Sequence, residues 1–296
     1  MHGLLNIDKP SGCTSRDVVN QVQRLLPGRG KSRPKVGHAG TLDPLAEGVL
    51  VVCVGAATRL IRLVQDMGKS YRGVFLLGMT SDTDDVEGEV TANPAATLPT
   101  REQLERAIAP MIGQVAQRPP AYSALRVQGK RAYDLARAGQ HVELAPREVR
   151  IDRVAIADYR PPELTLEIDC GSGVYVRSIG RDLGEATGCG AVMSALTRTA
   201  VGVFHQETAV PASSLDSLEA VATALQPLSA AAGSLPRVAL DEPALQRLAQ
   251  GQLVELPAAQ RCDGELAVLD EEGRLRAIAA WRGSSAIKPT INLPLS

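Results

Sequence analysis

The spacing of apolar residues divides the chain into helical and extended stretches. Val18, Val19, Val22 and Leu25 recur at the interval of one helical face, with Ser15 placed to cap the start and Pro27 to stop the end. Residues 49–55 are largely apolar and read as a buried strand, and 72–78 read as another. Thr100 and Gln103 have the spacing of a capping box ahead of a helix that sets Leu104, Ile108 and Met111 on one side. Residues 151–156 and 164–170 read as paired strands, the second turning Leu164, Leu166 and Ile168 inward. A helix is predicted from Val176, with Ile179, Leu183 and Ala186 on one face and Gly188 past its end. These elements alternate without a regular strand–helix–strand period, which favours an α+β fold around a mixed sheet.

The pattern changes near residue 230. The segment Leu228-Ser229-Ala230-Ala231-Ala232-Gly233-Ser234-Leu235-Pro236 reads as a connection. Beyond it Asp241 can cap a short helix carrying Leu245 and Leu248, with Gly251 after its end, and short strands are expected at 253–256, 265–269 and 275–281. The expected division is therefore a large domain at 1–235 and a small β-rich domain at 236–296. At 296 residues the chain is long enough for both.

Composition narrows the class. With 44% hydrophobic and 22% charged residues the chain has an ordinary globular make-up. No apolar run approaches the roughly 20 residues that cross a bilayer. The start, Met1-His2-Gly3-Leu4-Leu5-Asn6-Ile7-Asp8-Lys9-Pro10, lacks the marks of a secretory signal, so a cytoplasmic protein without membrane attachment is expected. Five cysteines (13, 53, 170, 189 and 262) and four dispersed histidines form no Cys-x-x-Cys pair or ligand spacing, which favours reduced thiols over a disulfide frame or metal site.

A net charge of −1 conceals segregation. Residues 24–35 carry Arg24, Arg29, Lys31, Arg33 and Lys35 with no acid, and residues 117–137 carry Arg118, Arg126, Lys130, Arg131 and Arg137 against Asp134 alone. Solvated loops hold most charge runs, but two such runs beside Gly/Pro-rich stretches make a nucleic acid a serious candidate partner. Aromatic residues are scarce: five Tyr, two Phe and one Trp. Tyr71, Tyr122 and Tyr175 nevertheless stand among small and basic residues, a setting that suits base stacking as well as packing.

One segment concentrates the chemistry. Gly37-His38-Ala39-Gly40-Thr41-Leu42-Asp43-Pro44-Leu45-Ala46-Glu47-Gly48-Val49 sets an acid in a glycine-rich, proline-stiffened loop that runs into the buried strand. Pro44 biases Asp43 toward extended backbone, and the glycines permit turns or close approach. By itself this reads as an Asp-Pro turn before a strand. Gly30-Lys31-Ser32 lacks the first glycine of a phosphate loop, which would fall at Leu25, and Gly171-Ser172-Gly173 lacks the third glycine of a dinucleotide fingerprint.

The motifs together resemble the TruB family of bacterial tRNA pseudouridine synthases. Leu5-Asn6-Ile7-Asp8-Lys9-Pro10-Ser11-Gly12-Cys13-Thr14-Ser15 is similar to the family's opening motif and 37–50 to its catalytic motif. Further signatures follow in order: Lys69-Ser70-Tyr71, Ser81-Asp82-Thr83-Asp84-Asp85, the stretch 119–129, and Gly173-Val174-Tyr175-Val176-Arg177-Ser178 through Asp182-Leu183-Gly184. The likeness covers residues 3–205, and the tail is similar to the family's PUA-like RNA-binding domain. It implies a pseudouridine-synthase fold with a central mixed, mainly antiparallel sheet flanked by helices and loops. It also implies isomerisation of the T-loop uridine of tRNA, at position 55, to pseudouridine, with no cofactor or metal required; a large single-chain RNA enzyme needs no partner subunit, so a monomer without protein partners is the expected default. Carried over by position, Asp43 is the nucleophile, Tyr71 stacks on the flipped base, and Tyr175 lines the pocket. Arg177 pairs with Asp43, His38 helps hold the T-loop, Asp85 contacts substrate, and Leu196 closes the apolar wall.

The chain departs from the family pattern at Arg126 (usually Lys), Ser81 (usually Thr) and Thr197 (commonly Arg), which bears on the grip on RNA rather than on Asp43. Two other readings stand beside it. A catalytically silent RNA-binding module is disfavoured by the presence of Asp43, Tyr71 and Arg177. A hydrolase acting on a nucleoside or sugar would need a second carboxylate near Asp43, for which the local sequence offers Glu47.

Overall fold

The computed structural model describes residues 1–122, 126–127, 130–131 and 144–294. The chain divides into two compact units, one made of Met1–Asp43, Val49–Met67 and Gly202–Ser296, the other of Pro44–Gly48 and Gly68–Val201.

In the first unit the Gly3–Lys9 strand lies between the Val210–Pro211 strand, to which it is parallel, and the Glu47–Val54 strand, whose far end pairs antiparallel with Val36–His38. Residues 49 to 54 are all fully buried, which is why they show no polar alternation: the strand is covered on both faces. The Ser15–Leu25 helix packs Val18, Val19 and Val22 inward as expected, but Thr14 is its cap. Thr14 Oγ1 accepts the Asp17 N–H (3.1 Å) and the Asp17 carboxylate accepts the Thr14 N–H (3.0 Å), so the reciprocal box begins one residue before the expected Ser15.

Five strands, in the order Arg237–Ala239, Glu265–Leu269, Leu275–Arg282, Ala286–Asn292 and Val254–Glu255, make the β-rich C-terminal part of this unit. Asp241 caps the Glu242–Ala249 helix, whose Leu245 and Leu248 join Val268, Ala279 and Ile287 in a local core. The expected boundary at 235 falls just ahead of its first strand. The Ala286–Asn292 strand was missed because Pro289 and Lys288 mask its pattern; Pro289 lies where the pairing with Leu275–Arg282 slips by a residue, a place where the absent N–H is tolerated.

The second unit is a sheet in the order Ala191–Val201, Lys69–Leu77, Glu163–Cys170, Arg147–Arg160 and Gly113–Gln117, with antiparallel neighbours throughout. Glu47 and Gly48 add a parallel pairing to Thr197 and Arg198. The fold is thus α+β, with mixed and mainly antiparallel strand pairing flanked by helices. The Thr100–Gln103 box is present as expected, and Leu104 and Ile108 are buried. Met111 falls instead in the tight turn Ala109–Met111 and is part-exposed.

The Val176–Thr187 helix ends at Gly188, which is left-handed at φ 73°. It covers the sheet face that carries Gly73 and Phe75. A Cβ at Gly180 would sit 2.4 Å from the Phe75 ring, and one at Gly184 would sit 2.3 Å from the Ala191 nitrogen. Its buried stripe is therefore Val176, Ile179, Gly180, Leu183 and Gly184, while Ala186 is exposed. The sequence pattern misplaced Ala186 because close helix–sheet packing puts glycines where an apolar count looks for side chains.

Candidate active site

Asp43 ends a loop fixed by its own backbone and by one distant hydroxyl. The Ala39 N–H donates to the Val51 carbonyl (2.9 Å), so pairing with the buried strand persists one residue beyond His38. Gly40 then turns the chain at φ 113°, a conformation that only glycine adopts without strain. Ser15, 2% exposed, clasps the next buried residue: its Oγ donates to the Leu42 carbonyl (2.9 Å) and accepts the Leu42 N–H (2.8 Å). Asp43 follows, half-buried. Ser15 was expected as a helix cap, and its contact with Leu42, 27 residues away, carried no sequence signal.

Beyond Asp43 the chain enters the second unit. Gly48, at φ 94°, lies so close to the neighbouring strand that a Cβ would meet the Arg198 carbonyl at 2.3 Å. Thr197 Oγ1 donates to Glu47 Oε1 (2.9 Å). Glu47 is exposed, and one of its oxygens accepts from a strand neighbour.

Two of the remaining candidates share one face of the second unit's sheet. Tyr71 stands opposite Arg198, and Leu196 stands opposite Gly73, one pleat along, so Tyr71 and Leu196 point to the same side. Val176, at the start of the helix, covers that side: a Cβ on Gly73 would lie 3.6 Å from its Cγ1. Tyr71 and Tyr175 are half-buried, Leu196 is 7% exposed, and Tyr175 precedes the helix as its N-cap residue.

Arg177, one residue inside the helix, is buried in a charged network. Its Nη1 lies 3.2 Å from Asp85 Oδ2 and donates to the Thr83 carbonyl (2.9 Å), and its Nη2 donates to the Tyr122 carbonyl (3.1 Å). Asp85, 3% exposed, also accepts from Thr83 Oγ1 (2.6 Å) and the Glu87 N–H (3.0 Å) at Oδ1. Ser81 donates to the Asp85 carbonyl (2.6 Å), so serine at this position still closes the loop. One turn along, Arg181 bonds Asp84 (2.8 Å), Asp182 (2.7 Å) and the Arg118 carbonyl (2.7 Å). Burial raises the Asp84 and Asp182 carboxyls above their ordinary values, with Arg181 opposing the rise. The structure thus brings Asp85 to Arg177, a pairing that the sequence did not single out.

Other chemistry recedes. Burial pushes the Cys53 and Cys170 thiols up to about 12, far from a reactive thiolate. Among the described residues no group of His, Cys, Asp and Glu has the arrangement of a metal site, and no helix is long and apolar enough to cross a membrane. Of the first basic run, Arg24, Arg29 and Lys35 are exposed, and Arg33 donates to the Gly28 carbonyl (3.0 Å). Of the second, Arg118 is described, with the backbone of a short hairpin pairing Arg126–Val127 with Lys130–Arg131; the side chains of Arg126, Lys130, Arg131, Asp134 and Arg137 lie outside the described residues.

The chain belongs to the TruB family: residues 29–176 match the N-terminal domain of TruB family pseudouridylate synthases, and residues 177–232 match the tRNA pseudouridylate synthase B C-terminal domain. It is similar to the tRNA pseudouridine synthase B of Dehalococcoides mccartyi, 39% identical over 281 residues, covering 94% of this chain and 92% of that one. The protein of that name in Gloeobacter violaceus is 39% identical over 301 residues, covering 99% of both. Among solved structures the fold is similar to a chain of an H/ACA RNP bound to a substrate RNA (TM-score 0.74, 22% identity, 99% of this chain and 85% of that one). It is also similar to a chain of a Cbf5-Nop10-Gar1 complex (TM-score 0.73, 24% identity, 99% and 85%).

Proposed function

We propose that this chain isomerises the T-loop uridine of tRNA, at position 55, to pseudouridine, with Asp43 as nucleophile. The observation that carries this reading is the match of residues 29–176 to the family's N-terminal domain, a stretch that contains Asp43 on its fixed loop. The names of the full-length relatives supply tRNA as the substrate.

The reaction breaks the bond from N1 of uracil to C1′ of ribose and forms one from C5 to C1′. The proton leaves C5 and N1 regains one, so substrate and product are isomers and no oxidant or reductant enters. An ionised Asp43 stabilises or captures the electron-poor centre made when the first bond breaks. A cation keeps that carboxylate ionised in a half-dry site, and Arg177 fills the role; Pro44–Gly48, the segment that follows Asp43, belongs to the same unit as Arg177. Asp85 already has both oxygens engaged, so in this reading it serves the substrate through Arg177. The target base leaves its stack at a cost of a few kcal/mol, offset by stacking on Tyr71 and by phosphate contacts of the basic runs. Tyr175 and Leu196 line the pocket and His38 holds the T-loop. The C-terminal β-rich part adds RNA contacts, and the chain acts as a monomer.

The test uses unmodified tRNA labelled with uridine tritiated at C5. Tritium release is expected with that tRNA and not when the T-loop uridine is replaced by cytidine. Asp43→Asn should lower release by at least about 10³-fold while leaving tRNA affinity within about threefold. Tight binding without release by the unaltered chain supports the silent module, and free uracil supports the hydrolase.

A further inference from the structure

Gln117 ends the Gly113–Gln117 strand and carries one of two buried side-chain amides among the described residues, 4% exposed. Its Oε1 accepts the Tyr175 N–H (2.9 Å) and its Nε2 donates to the Tyr175 carbonyl (3.1 Å). A side-chain amide is thus bonded to one residue's backbone as a neighbouring strand would be, although Tyr175 lies outside any strand. The base of this contact is firm. The Gln117 backbone is paired with Arg147, and the next residue's carbonyl accepts from both Ser178 Oγ (3.0 Å) and Arg181 Nη2 (2.7 Å).

The segment before Tyr175 is tied at Gly171, whose N–H donates to the Arg150 carbonyl (2.9 Å), and then opens to solvent. Ser172 and Gly173 are exposed, and Gly173 turns at φ 89° with nothing within 4 Å of where a Cβ would sit. A cavity of about 240 Å³, lined by Gln117, Pro119, Arg147, Ser172, Gly173 and Tyr175 among others, borders the segment. On that side the Gln117 amide meets both backbone groups of Tyr175. Because Tyr175 is also the N-cap residue whose carbonyl accepts from Ile179, the same clasp sets where the helix begins, two residues before Arg177.

We propose that Gln117 is a positioning residue for the isomerisation: by clasping both backbone groups of Tyr175 it fixes the Tyr175 ring and the helix start that delivers Arg177. The inference rests on the reading that Tyr175 and Arg177 serve the reacting uridine. The cost of losing the clasp falls on orientation, which governs rate, more than on affinity, which phosphate contacts dominate.

Two variants test it at saturating tRNA, below their melting temperatures, with active sites titrated. Gln117→Ala should lower kcat by about 10- to 100-fold while Kd for tRNA stays within about threefold. Gln117→Glu supplies the signature that a space-filling role cannot. Its carboxylate, when ionised, cannot donate to the Tyr175 carbonyl and sets a charge against it. When protonated, it accepts the N–H and donates O–H as glutamine does. Burial raises such an acid above its usual value of about 4.3, so the ratio of variant to unaltered kcat should climb at least about fivefold from pH 8 to pH 5.5. Both results are required. A Gln117→Ala kcat within about twofold of the unaltered enzyme, or a Gln117→Glu ratio flat with pH, overturns the proposal. Arg177→Met assayed in parallel separates the two failures. If it retains full activity the underlying site reading falls; if it loses activity while Gln117→Ala does not, the role of Gln117 alone falls.

Discussion

The loop that ends at Asp43 and the helix start that carries Arg177 are anchored by different kinds of bond. The loop is held sterically and by neutral bonds: Gly40 at φ 113°, and a serine that bonds both backbone groups of Leu42. The helix start is held electrostatically, by a guanidinium sunk against Asp85 and two carbonyls. The serine clasp itself adds no formal charge beside Asp43. A buried cation must be neutralised where it sits, and Asp85 does that wherever the substrate is. The two regions should therefore fail differently.

The largest effect is expected from Arg177→Met. It leaves Asp85 buried without its cation, a loss of about 3–5 kcal/mol by chemical denaturation, and lowers turnover by at least about 100-fold. Adding Asp85→Leu sharpens the contrast: part of the lost stability should return as the unpaired charge goes, the rest staying lost with the bonds to Thr83, Tyr122 and Glu87, while activity should stay lost. Return of activity in the double variant would break the comparison.

Ser15→Ala should cost less, about 1–3 kcal/mol for two backbone groups left unsatisfied beside Leu42, with no dependence on salt. Turnover should fall about tenfold at unchanged tRNA affinity, because the residue before Asp43 loses its anchor. A fall in affinity instead would show that the loop binds rather than reacts.

The smallest effect belongs to a helix cap whose bonds belong to neither network. Thr100→Ala removes the acceptor for the Gln103 N–H and should cost about 1 kcal/mol with kcat and Kd unchanged, as thermal unfolding and tritium release would report. It calibrates what a purely structural loss looks like in the same assays.

Legibility followed sequence distance. The Thr100–Gln103 box, the Asp241 cap and the left-handed Gly188 were readable because each device closes within about four residues, and local backbone rules apply to it. The Ser15–Leu42 clasp spans 27 residues, Gln117–Tyr175 spans 58, and Arg177–Thr83 spans 94, and no periodicity reports such pairs. Glycines also hid information: Gly180 and Gly184 are the interior of their helix, where a hydrophobic count finds nothing and favours Ala186 instead.

By itself, then, the sequence determined the strands and helices, the acid on its stiffened loop, and the ordered motifs that define the family. Those rest on backbone preference, on apolar spacing and on residue type, all of which are properties of short stretches. Tertiary structure alone decided that Ser15 grips Leu42 rather than a helix end, that Asp85 answers Arg177, and that Gln117 answers Tyr175. Each of these satisfies a buried polar group, and which groups become buried is settled when the sheet and its helix close over one another.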